Sequence, residues 1–413
     1  MLYSKSQPMK TYKYWFIILI ITLISCSKDE PIVPEPPTKN AWDEDITYFS
    51  HNLKQLHPNL FSKISSSEFD ARINKLYEMT DSHSADDIII GLQKILTKIG
   101  DSHTVLANNN SFSYLPIRFE WVDDGLFVTH IADEHESALG QKLTKINNVS
   151  IQTVIDSFRT VVTAENEAWF RYRFTTQVLI PEYHKHFGFT QSDNSGIFTF
   201  ENGSSITLSD GNANFTSIYT NQETPLYLSN SSDYYWHEEL NDLLYIQYNK
   251  CKSRNDLSMG NFVDNLNSIL LAKQNITKVV LDIRMNTGGN SGILKPLITR
   301  LDVLEENGRL DASSIYIIIG QKTYSSGILN AYELKQKINP VFIGEATGGR
   351  PNHYGDIRSI ELPNSKIKLY YSTRFWSITS NDTDSMYPDV DIKLTSADLL
   401  NFKDPVMEWI KEQ

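Results

Sequence analysis

Between residues 241 and 413 the chain alternates short apolar runs with helix-like stretches: LLYIQY, a helical stretch to Leu271, KVVLDI, a helix, SSIYIIIG, a further helix and PVFIGEA. Runs with so few polar residues read as strands buried on both faces, and the helices between them supply the cover. This predicts an α/β core over 241–413, with catalytic loops at the strand ends.

Upstream the pattern differs. Ile46, Phe49, Leu53 and Leu56 recur at steps of three and four, which marks one face of a helix ended by His57-Pro58. Ser84 with Asp87 three residues on has capping-box spacing, and Ile88, Leu92, Ile95, Leu96 and Ile99 follow on one side. Gly100 closes that helix directly before Asp101-Ser102-His103-Thr104. Residues 42–115 therefore form an N-terminal helical segment. From 116 to 165 the stretches LPIRFEWV, GLFVTHI and LTKINNVSIQTVI read as strands of a small β-rich insert, and 166–240 as an irregular β-rich connection containing GIFTFENGSSITL.

The first residues read as an export signal. Lys5, Lys10 and Lys13 precede WFIILIITLI, Trp15 to Ile24, a run too short to span a bilayer comfortably; Met9 is a second candidate start. Leu23-Ile24-Ser25-Cys26 resembles a bacterial lipobox, whose cysteine is lipidated and becomes the mature N-terminus. Residues 1–25 are thus expected to be a lipoprotein signal peptide, Cys26 the lipid attachment point, and the proline- and charge-rich 26–41 a tether. The expected location is the bacterial cell envelope, periplasmic or attached to the outer membrane. Removing residues 1–25 takes away three lysines and no acid, moving the formal charge from −12 to −15. Such a balance gives no electrostatic support to nucleic-acid binding. Cys251, the only cysteine besides Cys26, then has no partner for an intrachain disulfide.

The stretch YIIIGQKTYSSGILNAYEL runs an apolar strand into Ser325-Ser326 and then a helix. A serine there is exposed beside helix-end amides, but it needs a base within reach and donors for an oxyanion. A donor candidate is Asn286-Thr287-Gly288-Gly289 at the end of VVLDIRMNTGG, because paired glycines let backbone N–H groups approach a ligand. Taken singly, the glycine pair is an ordinary turn and the serine pair an ordinary helix cap.

Four segments in order, IGDSHT, VVLDIRMNTGG, KTYSSG and VFIGEATGGR, with YPDVDI near the end, resemble the tricorn-type serine peptidases, relatives of the C-terminal-processing (tail-specific) proteases. The resemblance spans most of residues 42–400 and implies a crotonase-like α/β core, with the insert similar to a degenerate PDZ module. It implies Ser325 as nucleophile and the backbone N–H groups of Ser326 and Gly288 as the oxyanion hole. Where the tail-specific branch has a lysine base this chain has Arg350, which stays protonated, so a Ser–Lys mechanism is excluded. The tricorn-like branch has a histidine base, which maps to His103 with Ser102 as supporting hydroxyl. Its acidic residue, a Glu in the family, maps to Asp382, with Asp384 as rival, to orient Ser102 or His103. Arg350 and His353, in GGRPNHYG, are candidates for substrate binding, Arg350 by forking onto a carboxylate.

Other motifs drop out. Ser365-Lys366-Ile367-Lys368 and Ser192-Asp193-Asn194 stand in the wrong order for penicillin-recognising enzymes, and K-T-G is missing. Asp382-Thr383-Asp384 lacks the glycine and final glutamate of a calcium loop, and His184-Lys185-His186 lacks a third metal ligand. The expectation is a lipid-anchored exported serine peptidase acting on a peptide or protein and needing no metal or organic cofactor. Two other classes stay open: a non-catalytic binder of peptide, glycan or lipid on the same scaffold, and an esterase using the same triad.

Overall fold

The computed structural model describes residues 39–107, 112–192, 194–219 and 223–413. The signal, Cys26 and most of the tether lie outside the described residues. Three helices come first: α1 (Lys39–Leu56), α2 (Ser66–Met79) and α3 (Ala85–Ile99). The Ser84 hydroxyl accepts from the Asp87 amide while the Asp87 carboxylate accepts from the Ser84 amide, and Gly100 closes α3 in the left-handed region at φ 69. These are the reciprocal caps that the spacing predicts. Strand β1 (Val105–Leu106) follows the Asp101–Thr104 segment at once.

The next strands are β2 (Ile117–Val122), β3 (Gly125–Ala132), β4 (Leu143–Ile146) and β5 (Val149–Ser150), followed by helices α4 (Ile151–Phe158), α5 (Glu167–Gln177) and α6 (Pro181–His186). LTKINNVSIQTVI is therefore only half strand. Asn147 and Asn148 take positive φ (49 and 69) in a tight turn, and the Ser150 hydroxyl caps a helix that Val149 and Ile151 had disguised as continuing alternation. Strands β6 (Ser195–Phe200), β7 (Ser205–Ser209) and β8 (Phe215–Ser217) then return to the sheets already begun: β6 pairs with β4 and β8 with β3. The stretch 116–165 and the strands β6–β8 of 166–240 are thus interlaced, because strands of each complete the sheets of the other. The described residues form one body.

After the short helix α7 (Leu226–Ser229) the remaining elements are β9 (Tyr235–Leu240), β10 (Leu243–Tyr248), α8 (Met259–Ala272), β11 (Lys278–Asp282), α9 (Lys295–Glu306), β12 (Ile315–Ile319), α10 (Ser326–Lys337), β13 (Val341–Gly344), β14 (His353–Glu361), β15 (Lys368–Trp376), β16 (Val390–Asp391), α11 (Ser396–Leu400) and α12 (Pro405–Glu412). Six of them make one sheet in the order β16-β13-β12-β11-β10-β9, parallel except for β9. On one face Leu244, Ile246, Leu281 and Ile317 pack with Phe262, Leu266 and Leu297; on the other Tyr245, Val280 and Ile318 pack with Val406, Met407 and Ile410 of α12. Covering both faces is what such apolar strands require, each fully buried side chain contributing about 1.5–3 kcal/mol. The result is a mixed α/β fold of several sheets.

The hairpin β14–β15 carries β1 on its edge, with Val105 opposite Tyr370, and Leu362, Leu369 and Tyr371 pack among α1–α3. That pairing, with the Ser372 amide donating to Thr104 Oγ1 at 3.2 Å, fastens the His103 segment to the rest of the molecule.

Candidate active site

Ser325 lies between β12 and α10, at the N-cap of α10, with φ 53 and ψ −123. Few non-glycine residues adopt such a backbone, which costs about 1–3 kcal/mol and persists only where the surroundings enforce it. They do so from two sides. The Tyr324 amide donates to the Asn286 carbonyl (3.0 Å) and Thr323 Oγ1 to the Ile283 carbonyl (3.0 Å), tying the serine loop to the loop after β11. Gly288, at φ 106, lies so close that a Cβ on it would be 2.8 Å from Ser325 Cβ and 3.1 Å from the Ser326 nitrogen. The Ser325 side chain is half-buried and makes no cap hydrogen bond, which leaves its hydroxyl uncommitted.

His103 is buried, and its ring stacks on Tyr324 (centroids 4.5 Å) and beside His353 (5.7 Å). Its Nδ1 meets the Tyr324 hydroxyl at 2.7 Å, while its Nε2 is buried with no hydrogen-bond partner. Tyr324 is in turn clamped by Trp169 of α5, ring on ring at 3.8 Å and 7°. The Tyr324 hydroxyl also lies 2.6 Å from Ser102 Oγ, which donates to Glu165 Oε1 at 2.8 Å; the Ser102 amide donates to the same oxygen at 3.1 Å. A chain Glu165–Ser102–Tyr324–His103 results.

Proton counting gives this chain a direction. With Glu165 ionised, Ser102 spends its one proton on Glu165, Tyr324 spends its own on Ser102, and the Tyr324 oxygen accepts from His103 Nδ1–H. Nε2 is then the nitrogen with the free lone pair, as a base requires. Burial, aided by His353 and opposed by Asp101, lowers the His103 imidazole to about 4, so it is neutral near pH 7. Burial and the nearby Asp101 charge raise Glu165 to about 7. Burial would lift Asp101 too, but hydrogen bonds from His57 and Thr104 and the charge of His103 hold it down at about 2.

Asp101 is the scaffold of the segment. Its carboxylate accepts from His57 Nε2 (3.0 Å), Thr104 Oγ1 (2.5 Å) and the His103 amide (2.9 Å). Asp101, His103 and Glu165 offer ligand-type atoms within 4.8 Å of one another. Asp101 and Glu165 are engaged in the hydrogen bonds above and His103 is held at Nδ1, so the trio reads as part of the hydrogen-bonded frame around His103.

The other residues marked from sequence fall as follows. Gly288 borders Ser325, but its amide donates to Asn286 Oδ1 at 2.9 Å, so it would reach an oxyanion only by sharing or giving up that bond. Ser326 is the first residue of α10, where an N–H has no intrahelical partner, and its hydroxyl donates to the Gly289 carbonyl at 2.6 Å. Asp382 is not on Ser102 or His103: it is half-exposed and pairs with Arg350 at 3.1 Å. Asp384 accepts from the Tyr387 hydroxyl at 2.7 Å. The carboxylate on Ser102 is Glu165, which lies just before the Asn166 cap of α5. Arg350 is thereby committed to a carboxylate of its own chain, and His353, its Nδ1 donating to the Arg350 carbonyl at 2.9 Å, forms a wall beside His103. Neither Glu165 nor Tyr324 was marked from sequence; Tyr324 stood inside the KTYSSG motif, but nothing local distinguishes Glu165.

No family model and no curated protein matches the chain. Solved structures resemble the chain in fold alone, at 10–14% identity. The particular fold it shares is that of CPAF: against mature CPAF complexed with lactacystin the TM-score is 0.63, at 10% identity, covering 91% of this chain and 97% of that one. The photosystem II D1 C-terminal processing protease aligns over 85% of this chain and 93% of its own at 12% identity with a TM-score of 0.40. Tricorn protease aligns over 90% of this chain and 37% of its own at 14% identity with a TM-score of 0.42.

Proposed function

We propose that the chain is an exported, lipid-anchored serine peptidase with a crotonase-like core and a PDZ-like insert. The observation that carries this reading is the buried His103 ring, held at Nδ1 by the neighbour of Ser325 and unpartnered at Nε2. Ser325 Oγ attacks a peptide carbonyl as His103 Nε2 takes its proton. The Ser326 amide, with the Gly288 loop, supports the oxyanion. His103 then returns the proton to the leaving amine, and water resolves the acyl-enzyme by the same route. Ser325 and His103 share no hydrogen bond here, and such contacts often close only with substrate.

A fluorophosphonate probe tests this. Labelling lost in Ser325→Ala and His103→Ala but kept in Ser326→Ala supports the reading. A folded wild type that never labels favours the second reading, a peptide-binding protein, which the occupied Gly288 amide also suits. Hydrolysis of esters without peptides points to an esterase. Loss of metabolic lipid labelling in Cys26→Ser checks the anchor.

A further inference from the structure

Between β2, α5 and the C-terminal ends of β12 and β13 lies a cavity of about 720 Å³, well inside the size range of ligand sites. Its charged groups divide into two sets. The cations are engaged: Arg284 forks onto Asp404 at 3.1 and 2.9 Å and bonds Asp282 at 2.8 Å. The Lys322 ammonium rests 5.3 Å over the Tyr172 ring, and Arg118, exposed at the rim, 5.2 Å over Phe215. Apart from Asp404, the carboxylates are not matched in this way. Glu345, half-buried, accepts one hydrogen bond, from Gln321 Nε2 at 3.0 Å, and has no ion pair among the described residues. Glu120, half-buried on β2, has none either, and its charge repels that of Glu345. Arg171, whose charge reaches Glu345, is bonded to Glu167 at 3.4 Å and lies over Trp121.

Two carboxylates facing one ligand-sized space, with the local cations drawn off to other partners, leave room for a cation from outside. We infer that this cavity receives a lysine or arginine side chain of a bound peptide, with Glu345 and Glu120 as its counter-charges. The inference rests on the peptidase reading, and it names a substrate class for it.

The geometry connects the cavity to Ser325. Gln321 precedes Ser325 by four residues in the same loop, and Gly349, four residues after Glu345, comes so close that a Cβ on it would be 3.3 Å from the Ser325 nitrogen. Four residues of extended chain reach at most about 14 Å. The basic residue therefore belongs within roughly four positions of the bond that Ser325 attacks.

Burial, reinforced by Glu120 and Asp391 and opposed by the Gln321 hydrogen bond and Arg171, raises Glu345 to about 7. The preference for a cation should therefore strengthen as pH rises through that region.

The test uses Ser325→Ala protein, which cannot turn substrate over, and fluorescent ten-residue neutral peptides carrying one lysine, norleucine or glutamate at successive positions. The expected result is that at one position lysine binds about tenfold tighter than norleucine, a difference of about 1.4 kcal/mol. Glu345→Gln and Glu120→Gln should each reduce that ratio, and Lys322→Met, which removes a like charge from the cavity, should not reduce it. Equal binding of lysine and norleucine, tighter binding of glutamate, or no binding of any peptide overturns the inference. Fluorophosphonate labelling of the Ser325-containing protein separates the two readings. Labelling without a lysine preference removes the cavity assignment alone, and a lysine preference without labelling removes the peptidase alone.

Discussion

The Tyr324 hydroxyl sits 2.7 Å from His103 Nδ1, so the residue that precedes the candidate nucleophile also holds the candidate base. The two contacts come from one short loop. Trp169 clamps the Tyr324 ring, and the Asn286 carbonyl takes the Tyr324 amide. Whatever moves the N-terminus of α10 moves Ser325 and the His103 support together.

Tyr324→Phe separates these roles, because the ring and its stacking survive while the hydroxyl is lost. His103 Nδ1 then has no partner to fix its tautomer or its aim. Labelling of Ser325 should slow by roughly 10²-fold or more, in the range of general-base contributions, with near-UV circular dichroism unchanged. A rate within twofold of wild type would remove Tyr324 from the mechanism.

Glu165 should set the pH profile. When it is protonated, every bond in the chain can reverse: Glu165 donates to Ser102, Ser102 to Tyr324, and Tyr324 to His103 Nδ1. The proton of the imidazole is then on Nε2, which no longer serves as a base. Since burial and Asp101, opposed by Ser102 and Lys63, place Glu165 at about 7, and His103 titrates near 4, labelling should rise with pH through about 7. Glu165→Gln should abolish that limb. A wild-type profile flat from pH 6 to 8 would contradict the relay.

The strands of the core were legible because their apolar runs admit few other structures, and α3 because Ser84, Asp87 and Gly100 act within a few residues of their own positions. Tyr324 and Ser102 meet across 222 residues, and Ser102 and Glu165 across 63. Only the folded chain creates those contacts, and no local pattern encodes them. Val149 and Ile151 mimicked a continuing strand, and the Ser150 cap decided the matter. Asp382 occupied the motif position of the expected acid, yet the Arg350 guanidinium two strands away captured its carboxylate.

Asp382→Asn should therefore be mild. An ion pair whose carboxylate is half-exposed contributes about 0–1 kcal/mol, and Asp382 touches neither Ser102 nor His103. Labelling should stay within about threefold of wild type, in contrast to Glu165→Gln. A loss for Asp382→Asn as large as for Glu165→Gln would return the acid to the motif position.

Asp101 predicts an acid limb in stability. Its folded-state carboxyl lies at about 2, below the ordinary 3.8, so its contribution is fully present above about pH 4 and is lost as pH falls through 2. Asp101→Asn leaves His57 Nε2 and the Thr104 hydroxyl without their charged acceptor in a fully buried site. Urea unfolding at pH 7 should show a loss of about 3 kcal/mol, shrinking as both proteins are taken below pH 3. An unchanged midpoint would mean that water replaces the carboxylate.

Gly288→Ala should strike function and stability together. At φ 106 an alanine is strained by about 1–3 kcal/mol, and its Cβ would stand 2.8 Å from Ser325 Cβ. The neighbours at that point are backbone or a β-carbon, which have no rotamer to yield. The alanine must push Ser325 off its position or open the Asn286–Gly288 turn that sets the oxyanion loop. Labelling should fall at least tenfold while thermal unfolding shows a folded protein with a lowered midpoint. Gly308→Ala, at a positive φ of 70 with nothing within 4 Å of its Cβ, should lose some stability to backbone strain without the loss of labelling. If both variants label alike, the close approach of Gly288 to Ser325 has no bearing on the serine's reactivity.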